Sequence, residues 1–552
     1  MAGRIWWLGT RAVGVAVALS ACLPEGGPGI GQRWVEGRGI AALAVPSSAT
    51  ASKSVVYARR VVDPPGVDNP FSQQSFEVYA LDQPQAEPTR LMARAVSLGF
   101  GFFAWDARDR LWLLQPGSNA DRGSSSLLRV DLASKSVVPV GEADQIEVGP
   151  DGQTIVVRRR GAQSEAHDLQ DHVQNLGVGV GSIAFLGPSL FFTSPAGLHQ
   201  LALPAAQPPR LLQGHVRSFW SVPNHQAEQL LLVDVGEPVV GDPLPLRRIG
   251  LLRGIDPTPA LAVLAEGHFL APPVLSEPGD RVALLDRTAM PEEVRVRVVE
   301  LASGRETAAT FSVPPLSPPL DRPAPSRSGF LTAVFRPGSG DLWILSGDAL
   351  VAIFSQGMIR VVENPGRRAT VFAGPESSRF SPLLFTSDGR FWVFREADGR
   401  LQIGDANDPN AQGALALTEA GRTVSSLLGE INGGRGLLYL VDQGRGRSDL
   451  RLADLAAQRI VVLARDVGAI VPGGQRLVAI VDKLEGEAAP GQLISIDLAS
   501  GASTHLADNV VDFRLAPVCA TCDPTGPGVD LQYLVQARFP FKHDGLWRAT
   551  LP

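Results

Sequence analysis

The sequence predicts an all-β fold of the propeller type, and three observations carry the prediction. Short alternating runs of Val, Leu, Ile, Phe and Trp are punctuated by Gly, Pro, Asp and Asn clusters, with no long amphipathic helix between them. A strand, turn, strand phrase recurs along the chain. A second landmark, a turn leading into an apolar strand, keeps step with it. With 58 Gly and 44 Pro beside 44% hydrophobic and 19% charged residues, the 552-residue chain has the composition of many short elements rather than of a disordered polymer.

At the N-terminus, Arg4 and Arg11 stand ahead of the small, apolar run Ala12 to Leu19, the pattern of a secretory signal peptide over residues 1–21. The run is too short to span a bilayer, which takes about 20 apolar residues, and Thr10 and Arg11 interrupt any longer reading. Residues 22–53, rich in Gly, Pro, Ser and Ala, read as a flexible tether, and residues 54–552 as the body. Net charge is -6, and loss of Arg4 and Arg11 with the leader would make it -8, so nucleic acid is not an expected partner.

Within the body the recurring phrase ends SLLRVDLASK at Lys135, VRVVELASGR at Arg305, LRLADLAAQR at Arg459 and LISIDLASGA at Ala502. Looser copies begin at Phe76, Gly197, Leu350, Gly399 and Gly545, and spacings cluster near 50 residues. The second landmark is GPDGQTIVV from Gly149, SEPGDRVALL from Ser276, TSDGRFWVF from Thr386 and VPGGQRLVAIV from Val471. Asp151-Gly152 and Asp388-Gly389 suit a two-residue primed hairpin turn, which needs positive φ. A four-stranded unit of about 40 to 50 residues repeated many times is what a propeller requires, because each blade buries both faces against its neighbours. About ten copies exceed the four to eight blades of an ordinary ring. The expectation is one ring of about eight four-stranded blades; the alternative is two smaller propellers joined near residues 313–326, where Pro314, Pro315, Pro318, Pro319, Pro323 and Pro325 crowd together.

Two resemblances follow from these residues. Leu19-Ser20-Ala21-Cys22 resembles the lipobox of bacterial lipoproteins, which implies a diacylglyceryl group on Cys22 as first residue of the mature chain. In that family an Asp after the cysteine marks inner-membrane retention; Leu23 occupies that place here, which implies the outer membrane of a bacterial cell envelope. The PDG and SDG turns, with the later DLASG-like hairpin, resemble the repeats of TolB-like propellers over 54–552. That resemblance implies a fold and no catalytic residues, since such repeats serve envelope proteins and unrelated enzymes alike.

Candidate chemistry is sparse. Cys519 and Cys522, the one cysteine pair of the body, read as a local disulfide pinning a loop. Asp523 stands where haem attachment needs His, and no further zinc ligands flank the pair. His167-Asp168-Leu169-Gln170-Asp171-His172 places imidazoles and carboxylates within one helical turn, the best metal candidate, though its polar setting reads as a solvated interblade loop. Asp405 to Asn410 reads as a polar turn rather than a calcium loop, because Pro409 takes a ligand position. No G-x-S-x-G elbow is present, and the run Gly177, Gly179, Gly181 opens into a strand rather than a helix, which removes the reason to bind a dinucleotide. Trp105, Trp112, Trp343, Trp392 and Trp547 fall in strand runs and read as core. With no catalytic, cofactor or metal residues assigned, the expected function is to bind or scaffold an envelope protein or polymer at the membrane through the lipid on Cys22. The alternative is a propeller enzyme with its groups gathered in the channel.

Overall fold

The computed structural model describes residues 29–552 apart from internal stretches, the longer ones being 45–54, 61–75, 314–330, 363–370 and 373–381. Every regular element described, from Gln32–Glu36 to Gly545–Thr550, is a strand, and all pairing is antiparallel. Eight sheets are four-stranded: 40–95, 103–143, 145–178, 183–214, 216–267, 274–312, 331–361 and 424–464. These are blades 1 to 7 and blade 9. Blade 8 is, among the described residues, the three-stranded sheet 391–416, with the bridge between Phe385 and Trp392 on its first-strand side. Blades 10 and 11 form one seven-stranded sheet because they share the strand Ser503–Ala516. Its first half pairs with Gly491–Asp497 and its second half with Asp530–Val535, the change falling beside Asn509 at φ 57°. Gln32–Glu36 pairs with Gly545–Thr550 and completes blade 11, so the last blade is finished by the first described strand.

Side-chain packing shows how the blades are arranged. Blades 1 and 2 share a buried cluster through Val78, Leu91, Leu111 and Val130, and blades 2 and 3 share another through Trp112, Leu114, Ile155 and Val157. The same holds at every following step, including that from blade 6 to blade 7 across the Pro-rich connection, where Phe311 and Val313 pack with Leu331 and Phe335. The circuit closes where Val35, Leu534 and Leu546 of blade 11 meet Ile40, Val55 and Tyr57 of blade 1. The protein is therefore a β-propeller with one closed ring of eleven blades. The all-β propeller expectation stands; the count of about eight was low, because the hairpin copies are blades in their own right. The two-ring alternative fails at the blade 6 to blade 7 interface, which packs like the others.

The N-terminal reading also changes. Gln32–Glu36 and Ile40–Ala44 are strands inside the stretch 22–53 read as tether, because Val35 and Ile40 are buried in the closing cluster. Asp151-Gly152 and Asp388-Gly389 lie in four-residue loops, closed by bonds from Gly149 N to Thr154 O (2.8 Å) and Thr386 N to Phe391 O (2.9 Å), rather than in two-residue turns. Glycine is required there twice over. Gly152 and Gly389 hold φ of +68° and +65°, and a Cβ on Gly389 would stand 2.0 Å from the Pro337 carbonyl oxygen of the preceding blade.

Because strands alternate in direction within each blade, the turns from first to second and from third to fourth strand share one side of the ring, here the turn face. The connections from second to third strand and from blade to blade share the other, the connection face.

Candidate functional site

The turn face is tied together blade to blade. Ala107 N donates to Gly152 O (2.9 Å) from blade 2 to 3, Asn224 Nδ2 to Pro278 O (3.2 Å) from blade 5 to 6, and Arg336 Nε to Gly389 O (2.7 Å) from blade 7 to 8. Between blades 8 and 9 the backbone N–H and hydroxyl of Ser387 both donate to the Glu430 carboxylate at 2.7–2.9 Å. The first three of these bonds satisfy backbone carbonyls at points where one turn nests on the next, so these tight turns are also interblade contacts.

The His167–His172 segment belongs to this system. It is the hairpin between the third and fourth strands of blade 3, Gln163–Asp168 and Val173–Val178, and not a helical turn. It corresponds to the DLASK hairpin of blade 2. Asp131 Oδ1 accepts from Ser134 N there, and Asp168 Oδ1 accepts from His172 N here, both at 2.9 Å. The four polar side chains diverge. His167 is buried against Trp112 of blade 2, ring centroids 5.5 Å apart, with Glu165 Oε2 3.1 Å from Nε2. Burial holds its imidazole below the usual value even with that carboxylate beside it. Asp168 is buried and orients the exposed His172 through Nδ1 at 2.8 Å. Asp171 accepts from Arg110 (2.8 Å) and Arg129 (2.5 Å), and Arg110 is held from its other side by the buried Asp106 at 2.6 Å. Among the described residues no group of three His, Cys, Asp or Glu is placed to hold a metal ion. The segment's charges serve the interface between blades 2 and 3.

Elsewhere the residues singled out from sequence take ordinary places. Trp105, Trp112, Trp343, Trp392 and Trp547 are all buried, Trp343 and Trp392 packed edge to face at 5.0 Å across the blade 7 to blade 8 interface. Gly177, Gly179 and Gly181 form the link between blades 3 and 4, where Gly181 is packed against Thr193. Asp405 caps Asn407 N at 2.8 Å, and Asn407 receives Arg336 from blade 7. Cys22, Cys519 and Cys522 lie outside the described residues. Next to the cysteine pair, Thr525 donates to Asp523 and to Arg476 O (3.0 Å), so the segment after the pair is fastened to blade 10.

Sequence reasoning missed the clefts between neighbouring turns. One, about 510 Å³, lies between blades 5 and 6 and is lined by His225, Glu228, Arg253, Asp256 and Asp280 with Leu230 and Leu251. Its residues come from four separate turns, so no local motif could have announced it. It carries charges of both signs, and His225 Nδ1 and Glu228 Oε2 stand 3.6 Å apart within it.

Fold and site together define a β-propeller protein whose neighbouring blades are tied on one face by polar contacts between turns. No family model and no curated protein matches the chain. Solved structures do resemble it. The tricorn protease is 12% identical, with 94% of this chain and 58% of that chain covered at a TM-score of 0.26. Porphyromonas gingivalis dipeptidyl peptidase 4 is 12% identical, with 90% and 65% covered at 0.33. TolB from Acinetobacter baumannii is 12% identical, with 46% and 62% covered at 0.21. The chain thus spans less than two thirds of the length of each. At such identities and scores these similarities say nothing of activity; the propeller rests on the strand pairing and the closed circuit of clusters.

Proposed function

We propose that this is a lipid-anchored protein of the bacterial cell envelope that uses its propeller to hold a protein or polymer partner, with no chemistry of its own. One observation carries the reading: the distribution of the histidines. All eight are described, and they fall in blade 3 (His167, His172), blade 4 (His199), the links before and after blade 5 (His215, His268), its first turn (His225), blade 10 (His505) and blade 11 (His543). An enzyme working from a propeller channel gathers such groups around one point; here His167 is buried against Trp112 of the neighbouring blade and His199 is stacked on Phe192 of its own. The lipobox-like Leu19 to Cys22 supports the anchor, and the size of the ring supports a large partner.

The test is native co-purification of the tagged protein from detergent-solubilised membranes, with Cys22→Ser as the control. A partner recovered at constant ratio from the membrane fraction is expected. A protein that runs alone across detergent and salt conditions would sink the scaffold reading, and turnover assays on the cleft between blades 5 and 6 would then take its place.

A further inference from the structure

The hairpin from third to fourth strand is built alike in much of the ring, and blade 5 departs from the plan. In blades 2, 3, 8, 9 and 10 the third strand ends on an aspartate, Asp131, Asp168, Asp405, Asp454 or Asp497, whose Oδ1 accepts a backbone N–H of its own hairpin at 2.8–3.1 Å. In blade 5 the strand Arg247–Arg253 ends on a cation: Arg253, in register with Leu230, stands where Asp454 is in register with Gly436 in blade 9. The hairpin that follows is longer, 254–261 against 455–458. It is held from outside instead. Arg210 of blade 4 donates to the carbonyls of Gly254, Asp256 and Pro257, each at 2.9 Å, and a Cβ on Gly254 would stand 2.5 Å from the Phe191 ring of blade 4. The hairpin is thus fastened to blade 4, while between it and blade 6 lies the cleft of about 510 Å³. The equivalent place between blades 9 and 10 encloses about 260 Å³, and its two charged lining residues, Asp454 and Arg459, pair with each other at 3.4 Å.

In the blade 5 cleft the charges are not spent in that way. Asp280 is bound by the Ser276 hydroxyl at 2.7 Å and lies 3.6 Å from Arg281 Nε, and Glu228 has only His225 beside it, at 3.6 Å. Arg253 and the Asp256 carboxylate have no hydrogen-bond or ion-pair partner among the described residues. Two carboxylates, Glu228 and Asp256, are therefore left to a guest against one guanidinium. Leu230, Leu251 and Leu301 line the same space with apolar surface. An alkyl stem for the leucines and a cationic head for the carboxylates make a lysine or arginine side chain. The volume lies within the range of about 300–1,000 Å³ usual for ligand sites, enough for such a side chain with its adjoining backbone. Resting on the reading above that the propeller holds a protein partner, we propose that this cleft is where the partner is gripped, and that it takes a peptide segment by a Lys or Arg side chain. The mount on blade 4 presets one wall, so little ordering is needed on binding. Arg253 is a like charge to the guest and weakens the grip, which gives the assignment a signed test.

The experiment measures, by saturation-transfer NMR on the full chain in detergent, the Kd of end-blocked alanine pentapeptides whose central residue is lysine, arginine, norleucine or glutamate. The lysine and arginine peptides should bind about fivefold or more tighter than the norleucine peptide, and added salt should erase the difference. Glu228→Gln and Asp256→Asn should each weaken them several-fold, and Arg253→Gln should tighten them, all three variants keeping the parent's unfolding midpoint. No preference for lysine over norleucine, tighter binding of the glutamate peptide, or loss of binding in Arg253→Gln overturns the assignment. Co-purification run on the same variants separates it from the reading it rests on. A partner recovered equally well with the Glu228→Gln, Asp256→Asn double variant overturns the cleft as the grip and leaves the scaffold standing. Lysine-selective binding with no partner recovered overturns the scaffold and supports the cleft as a site for basic side chains.

Discussion

The interface between blades 6 and 7 and that between blades 10 and 11 are joined by chain in opposite ways. Blades 6 and 7 are separated by the connection 313–330, whereas blades 10 and 11 are one strand, Ser503–Ala516, bent beside Asn509. Their cores are nonetheless alike. Phe311, Leu331, Phe335, Leu342 and Ile344 fill the first; Leu493, Leu506, Phe513, Leu531 and Tyr533 fill the second. What holds neighbouring blades is the apolar cluster between facing sheets, each fully buried side chain contributing about 1.5–3 kcal/mol, and not the covalent path. The closure of blade 11 by Gln32–Glu36 obeys the same rule, since Val35 joins the cluster with Tyr57 and Leu546 across a non-covalent seam.

The largest test of this comparison is a matched pair of truncations. Phe335→Ala and Phe513→Ala each remove a buried ring from one of the two interfaces, and each is expected to cost about 3–5 kcal/mol in chemical denaturation. If Phe335→Ala proves more than about 2 kcal/mol worse than Phe513→Ala, a gap wider than that expected range, chain continuity does stabilise blades 10 and 11, and the comparison fails.

A second pair separates backbone conformation from interblade contact. Gly444 has φ +82° with open space around it, while Gly389 has φ +65° and abuts Pro337 O of the preceding blade. Gly444→Ala should lose about 1–2 kcal/mol from the left-handed conformation alone. Gly389→Ala should lose a further 1–3 kcal/mol, because backbone on both sides must move. Equal losses, measured by thermal unfolding, would show that the nested turns do not bind the blades.

These turns also show what was legible in advance. The Asp-Gly and DLASG-like phrases were readable because they recur, and they mark the first and third turns of many blades. That both phrases fall on one face follows only from strand alternation in three dimensions. The third strands of blades 3 and 5, Gln163–Asp168 and Arg247–Arg253, escaped the pattern because buried His167, Asp168 and Ile249 alternate there with Gln, Glu and Arg. In blade 3 the disguise went further: two histidines in an ordinary hairpin read as a metal candidate, since spacing alone cannot say that Asp168 turns toward His172 while Asp171 turns toward Arg110 and Arg129. Gln32–Glu36 was lost among glycines, because an outermost strand needs little apolar surface and only Val35 is buried.

The pH response of the blade 2 to blade 3 interface is a smaller effect with a definite sign. Burial lowers the His167 pKa in the folded protein, while the unfolded chain takes up its proton near 6.5. The unfolded state thus binds more protons as pH falls below about 6.5, so stability is lost on acidification from neutral pH toward 5. His199, also lowered by burial, acts in the same direction. Glu165 is lowered by its bond to Arg159 and contributes stability that disappears only at more acid pH, below the ordinary glutamate range. His167→Gln should therefore flatten the slope of stability between pH 7 and 5 without abolishing it. An unchanged slope would mean that His167 is protonated in the folded interface.

The smallest expected effect is the most direct probe of the opening comparison. Replacing residues 314–325, with their six prolines, by a Gly/Ser segment of equal length leaves Phe311, Val313, Leu331 and Phe335 untouched. If the cluster alone holds blade 6 to blade 7, a connection packed on neither blade is as free in the folded chain as in the unfolded one, and the replacement should shift unfolding by less than about 1 kcal/mol, the size of a single proline's effect. Phe335→Ala made in that background should then cost what it costs in the parent. A large loss from the linker exchange alone would place part of the interface in the connection itself, and the ring would have to be read as two packed arcs with a structured hinge rather than as eleven equivalent contacts.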